Sequence, residues 1–151
     1  MTIRGKSKVA ILGKLPTKFN APFDDPEWDI WTLNYQNEPL KRVTLWFDIH
    51  TSSPNPRANI TRENYPFKEA FELAGGHYFN NTVSYMIAYA ILQGYEEIAL
   101  YGMRFNDDTE NRTFQKQNVR ELVFLARGKG IKVTAPVDKS LLEGYPVYGV
   151  N

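Results

Sequence analysis

The stretch KVAILGKLPTKF (residues 8–19) decides the fold. An apolar run, Val9-Ala10-Ile11-Leu12, stops at Gly13 and passes into a basic turn carrying Lys14, Pro16, Thr17 and Lys18. A short apolar run closed by glycine fits a strand buried on both faces, as in a parallel sheet. Similar runs recur at residues 29–33 (DIWTL), 43–49 (VTLWFDI), 96–102 (EEIALYG) and 131–136 (IKVTAP), which predicts five strands.

Between them lie helical patterns. FKEAFELAGG (residues 67–76) is a short helix stopped by glycines. VSYMIAYAILQG (residues 83–94) is apolar nearly all round, so it is buried or sandwiched, with Asn81 or Thr82 as its cap. Residues 113–128 carry Val119, Leu122, Val123 and Ala126 at helical spacing. KSLLEG is a single helical turn. Residues 14–27 hold three prolines and cannot form a long crossover helix, and the stretch 50–66 reads as a long polar loop. Strand and helix in alternation predict an α/β, Rossmann-like domain over residues 1–151. Its sheet is mostly parallel, of about five strands, with a shortened first crossover and tails at 1–7 and 143–151.

Composition narrows the function classes. Eighteen basic against seventeen acidic residues leave a net charge of +1, which gives no electrostatic case for nucleic acid or a membrane as the main partner. The absence of cysteine removes thiolate nucleophiles and thiolate metal sites. No stretch near the start is apolar enough for a signal peptide, and residues 83–92 are too few to span a bilayer, so the expected compartment is the cytoplasm.

GKLPTKFNAPFDDPEWDIWTLN, LWFDIH, YPFKEAF, HYFNNTVSYMIAYAILQGYEEIALYGMRF and LARGKGIKV occur in that order. Together they resemble a family of small phage-encoded Rossmann-like proteins, itself weakly similar to archaeal pterin pyrophosphokinase-like proteins. The resemblance covers residues 8–142. It implies the same fold and a viral origin, with the host cytoplasm as the compartment, and it carries no agreed reaction. Family members often begin the helix after the fourth strand with an acidic-aromatic-glutamine pattern, of which this chain keeps Phe114 and Gln115.

In open α/β sheets, ligands bind beyond the carboxyl ends of the strands, where the strand order switches. That rule gathers Gly13, Lys14 and Thr17 from the first strand, Asn34 from the second and Asp48 and His50 from the third. Asn81, Thr82 and Ser84 come from a helix start, Arg104 from the fourth strand and Gln115 from the helix after it. Backbone N–H groups near Gly13 and at the Asn81–Thr82 helix start suit an anion. GKLPT is neither G-x-G-x-x-G nor a Walker loop, and the bland reading makes Gly13 a turn residue with solvated lysines. Asp48 and His50 share a strand face and form the only acid/base pair on offer, though a hydrogen-bonding role is the simpler reading. NNT at 80–82 is first a helix cap. Arg104 is either a phosphate partner or a solvated arginine. Asp107-Asp108 reads as solvated acid, with Mg²⁺ beside a phosphate only in an enzyme. Trp28 is the best stacking surface among tryptophans that otherwise belong to the core. No metal site and no resident cofactor are expected.

The resulting expectation is a binder of a nucleotide or nucleotide-derived small molecule. One version is an anti-defence sponge that sequesters a cyclic-nucleotide or ADP-ribose-type immune signal. The alternatives are a transferase or hydrolase acting on a nucleotide or sugar-nucleotide, and a module that binds a host protein. A homo-oligomer through residues 83–92 or the aromatic tail is compatible with each.

Overall fold

The computed structural model describes residues 7–103, 105, 110–143 and 147–150. The elements are β1 (Lys8–Leu12), β2 (Trp28–Leu33), β3 (Leu45–Asp48), β4 (Ile60–Thr61), α1 (Phe67–Ala74), α2 (Thr82–Gln93), β5 (Glu97–Tyr101), α3 (Glu110–Gly128) and β6 (Lys132–Thr134). Two 3₁₀ turns, Pro16–Asn20 and Lys139–Leu141, complete the elements among the described residues. The strands form one parallel sheet in the order β4-β3-β2-β1-β5-β6. The chain thus steps outward from β1 to β4, then returns to the other side of β1. The strand order reverses between β1 and β5, which makes that junction the switch point of the Rossmann-like sheet.

Period-two alternation sorts each strand onto two faces. Val9, Ile11, Trp31, Leu33, Phe47, Ile98 and Leu100 face the helices and meet Met86, Ile87 and Ala90 of α2 and Val119, Leu122, Val123 and Ala126 of α3. Burying each large aliphatic side chain there stabilises the fold by roughly 1.5–3 kcal/mol. Helix α2 packs against α1, α3, β1 and β3, which explains a sequence apolar nearly all round. Gly75 and Gly94 end α1 and α2 in the left-handed conformation, at φ 73° and 84°. The other face is smaller. Ala10, Leu12, Ile30, Ala99 and Tyr101 are covered by Ala21, Phe23 and Leu40 from connecting segments and by Trp28 at the start of β2.

Among the described residues the sheet has six strands, where about five were expected. β4 is two residues long, paired to Phe47 and Asp48, inside the stretch expected to be loop. A pair that short has no periodicity to detect. The expected 43–49 and 131–136 strands shorten to β3 and β6, and α3 starts three residues before the expected 113. The proline-rich first crossover does lack a long helix: only the 3₁₀ turn Pro16–Asn20 forms. Lys18, solvated in the bland reading of the turn, is buried. Its Nζ donates to Gln36 Oε1 (2.9 Å), Glu38 Oε1 (2.9 Å) and the Lys14 carbonyl (3.3 Å). Among the described residues, no helix is long and apolar enough to cross a membrane.

Candidate functional site

A cavity of about 520 Å³ opens at the carboxyl ends of β1, β2, β3 and β5. Seven of the residues expected there line it: Gly13, Lys14, Asn34, His50, Asn81, Thr82 and Gln115. The apolar part of the wall comes from Leu15, Leu33, Val83, Met103 and Phe105.

The strand ends are held by backbone contact. The Gly13 N–H donates to the Tyr101 carbonyl (2.8 Å) and the Leu15 N–H to the Gly102 carbonyl (2.9 Å). A Cβ on Gly13 would stand 2.5 Å from the Gly102 oxygen. Gly13 is therefore glycine because two segments of the chain meet there. The N–H of Gly13 itself is already used, so Gly13 supplies wall and not a donor.

Thr17 does not line the cavity either. Its hydroxyl donates to Asp138 Oδ2 (2.7 Å) and accepts from the Gly102 N–H (3.0 Å). Asp138 Oδ2 also accepts from the N–H groups of Gly102 (3.1 Å) and Met103 (3.4 Å). A buried carboxylate 121 residues from Thr17 thus shapes the cavity floor.

The anion-receptive edge is the start of α2. Asn81 is the cap: its Oδ1 accepts from the Ser84 N–H (3.0 Å) and its Nδ2 donates to Ser84 Oγ (2.9 Å). Ser84 is consumed by that cap and fully buried, so it too is removed from the lining set. Thr82 and Val83, in the first turn, have no preceding helical carbonyl for their N–H groups, and both line the cavity. Asn118, buried on α3, braces this edge. Its Oδ1 accepts from the Asn80 N–H (2.9 Å) and its Nδ2 donates to the Tyr78 carbonyl (2.8 Å).

Asn34 ends β2 in the left-handed region at φ 51°. Three hydrogen bonds hold it there: its N–H to the Phe47 carbonyl (2.8 Å), and its own carbonyl from Trp46 Nε1 (2.6 Å) and Asn55 Nδ2 (2.9 Å). Its side-chain Oδ1 is buried without a partner. Phe105, another wall residue, also has positive φ, 57°. Left-handed non-glycine residues cost energy and concentrate at functional sites. Two of the three among the described residues line this one cavity.

Asp48 and His50 form the expected pair. His50 Nδ1 lies 2.6 Å from Asp48 Oδ1, which also accepts the His50 N–H (3.2 Å), while Oδ2 accepts the Asn55 N–H (2.9 Å). Burial opposes the charge on Asp48, but the Asn55 and His50 N–H groups and the His50 ring outweigh it and hold its carboxyl below the usual 3.8. An ionised Asp48 only accepts, so His50 Nδ1 carries the proton toward it. The exposed ring is left with Nε2 for the cavity it lines.

Trp28 is corrected outright. It pairs with Lys8, the first residue of β1, at the amino end of the sheet, about 16 Å along the strands from the cavity rim. It packs in the smaller core, beneath the Lys8 ammonium. Arg104 and Asp107-Asp108 lie outside the described residues. Among the described residues no group of three or more His, Asp or Glu is placed to hold a metal ion.

Sequence reasoning missed Asn55, Asn118 and Asp138. A polar residue inside an otherwise apolar helical pattern was a readable signal for Asn118. Asn55 and Asp138 sit in loops with no periodicity to violate. No protein-family model, no curated protein and no solved structure matches this chain.

Proposed function

We propose that the chain binds a nucleotide or nucleotide-derived small molecule in the switch-point cavity. The observation that carries this reading is a cavity of about 520 Å³ that unites a helix start, Lys14 and apolar wall at the reversal of strand order. That volume suits a small ligand, for which roughly 300–1,000 Å³ is usual. The first-turn N–H groups of Thr82 and Val83 would take a phosphate, with the Lys14 ammonium adding charge. Leu15, Leu33, Met103 and Phe105 would cover a base. Read with the resemblance to small phage proteins, the role is sequestration: a cytoplasmic anti-defence protein that holds a nucleotide immune signal. Isothermal calorimetry against mono-, di- and cyclic nucleotides and ADP-ribose tests it. Binding of one class, with the ligand recovered intact after denaturation, supports it; no binding to any of them refutes it.

The Asp48–His50 pair favours a second reading, a hydrolase or transferase in which His50 Nε2 accepts a proton from the attacking group. Its test is turnover. Ligand recovered chemically altered, with the change abolished by His50→Gln, would replace sequestration with catalysis.

A further inference from the structure

A second depression adjoins the cavity. It measures about 240 Å³ and is lined by Tyr78, Asn80, Phe114 and Gln115. Asn80 and Gln115 also line the larger cavity, so the two share a polar lip. Alone, the smaller one falls below the roughly 300 Å³ usual for a small-molecule site, so it reads as an annex of the first.

Its two rings stand apart from the other aromatics. Phe71, His77, Phe79 and Tyr85 pack on one another at centroid distances of 4.6–5.7 Å. Tyr78 is 48% exposed and Phe114 45% exposed, and among the described residues neither ring meets another. Their backbones are nevertheless anchored. Asn118 Nδ2 donates to the Tyr78 carbonyl (2.8 Å) and Asn80 Nδ2 to the Phe114 carbonyl (3.2 Å). The Asn80 N–H in turn donates to Asn118 Oδ1 (2.9 Å), which joins the two anchors. One buried amide on α3 thus ties together the segments that carry two exposed rings. Rigid rings of this kind present a large contact face at low entropic cost.

Resting on the nucleotide reading above, we infer that the annex takes a second nucleobase, so that the ligand is a dinucleotide: two bases joined through phosphate. One base lies against the apolar wall of the larger cavity. The phosphates pass the start of α2 and the Asn80–Gln115 lip. The second base stacks on Tyr78 and Phe114. Gln115 suits the crossing, since its Oε1 accepts from Arg112 (3.3 Å) and its amide nitrogen remains to donate over the lip. Of the signals named above, this selects a cyclic dinucleotide over ADP-ribose, which carries one base.

Calorimetry on the full chain tests the inference. Diadenosine diphosphate is set against ADP-ribose, which has the same phosphates, riboses and charge and lacks only the second adenine. Cyclic di-AMP is set against 3′,5′-cyclic AMP, and cyclic di-GMP against cyclic GMP. The expected result is that the two-base member of at least one pair binds about tenfold tighter or more, the scale of one base–aromatic stack. Which pair shows the preference tells a linear ligand from a cyclic one. Tyr78→Ala and Phe114→Ala should each bring that ratio toward one. Tyr78→Phe and Phe114→Tyr keep a ring and should retain it. A wild-type ratio near one in every pair, or a ratio unmoved by both alanine variants, would overturn the inference while leaving nucleotide binding standing. Absence of binding to every probe would overturn both.

Discussion

The two faces of the sheet are held by different forces. On the helical face, apolar side chains from all six strands close against α1, α2 and α3. The opposite face carries a smaller apolar cluster, and there and along the carboxyl rim buried polar groups tie loops to strand ends. Lys18 reaches Gln36 and Glu38, Asp138 reaches Thr17 and Gly102, and Asp48 reaches Asn55. The helical face is a non-directional core that tolerates exchange of similar volumes. The rim depends on direction, since each buried polar atom is costly when its partner is lost. The cavity sits on the directional side, where a site needs its groups held in place.

The contrast can be broken by substitution. Leu100→Ala on the helical face should cost about 3 kcal/mol of unfolding free energy in urea, through lost burial and a residual cavity. Ligand affinity should fall only as far as the folded fraction does. Asp138→Ala should cost roughly 2 kcal/mol, because Thr17, Gly102 and Met103 lose a shared acceptor, and it should also weaken ligand binding. Asp138→Asn keeps an acceptor oxygen and should recover most of both. If Asp138→Ala weakens binding no more than Leu100→Ala does, the rim is not specially tied to the site.

Asp48 gives the contrast a pH signature. Its carboxyl is held below 3.8, so its contribution to stability is fully present above that value and is lost as pH falls through the lowered one. Urea titrations from pH 7 down to pH 2 should show wild type losing its advantage over Asp48→Asn in that acid window. An unchanging difference would mean the carboxylate is not stabilised as described. Asn81→Ala removes the α2 cap and should cost about 1 kcal/mol, with a further loss of affinity for phosphate-bearing ligands. The smallest effect belongs to Lys41→Ala. Its ion pair with Asp24 is exposed on both sides, so the change in stability should stay within about 0.5 kcal/mol.

The helical face was legible in the sequence because its signals are local. Val9 and Ile11 alternate, Val119, Leu122, Val123 and Ala126 recur at helical spacing, and Gly75 and Gly94 stop helices where the chain turns left-handed. The candidate site was legible in outline, since strand ends and a helix cap can be located before the sheet is assembled. Trp28 went astray because it opens its strand, and a tryptophan next to a loop looks the same in sequence at either end of a sheet. Thr17 and Ser84 went astray because their hydroxyls have partners inside the fold.

By itself the sequence determined an α/β chain, the position of its major strands and helices, and the residue types at the strand ends. These follow from periods of two and 3.6 and from glycine and proline, all of which act over a few residues. Only the tertiary structure decided the order β4-β3-β2-β1-β5-β6, the burial of Lys18, and the use of the Gly13 N–H and the Thr17 hydroxyl inside the fold. Each of these is a contact between segments far apart in the chain, as Thr17 and Asp138 are. Such a pairing leaves no periodic trace, because a hydrogen bond constrains two atoms in space and nothing about the residues between them.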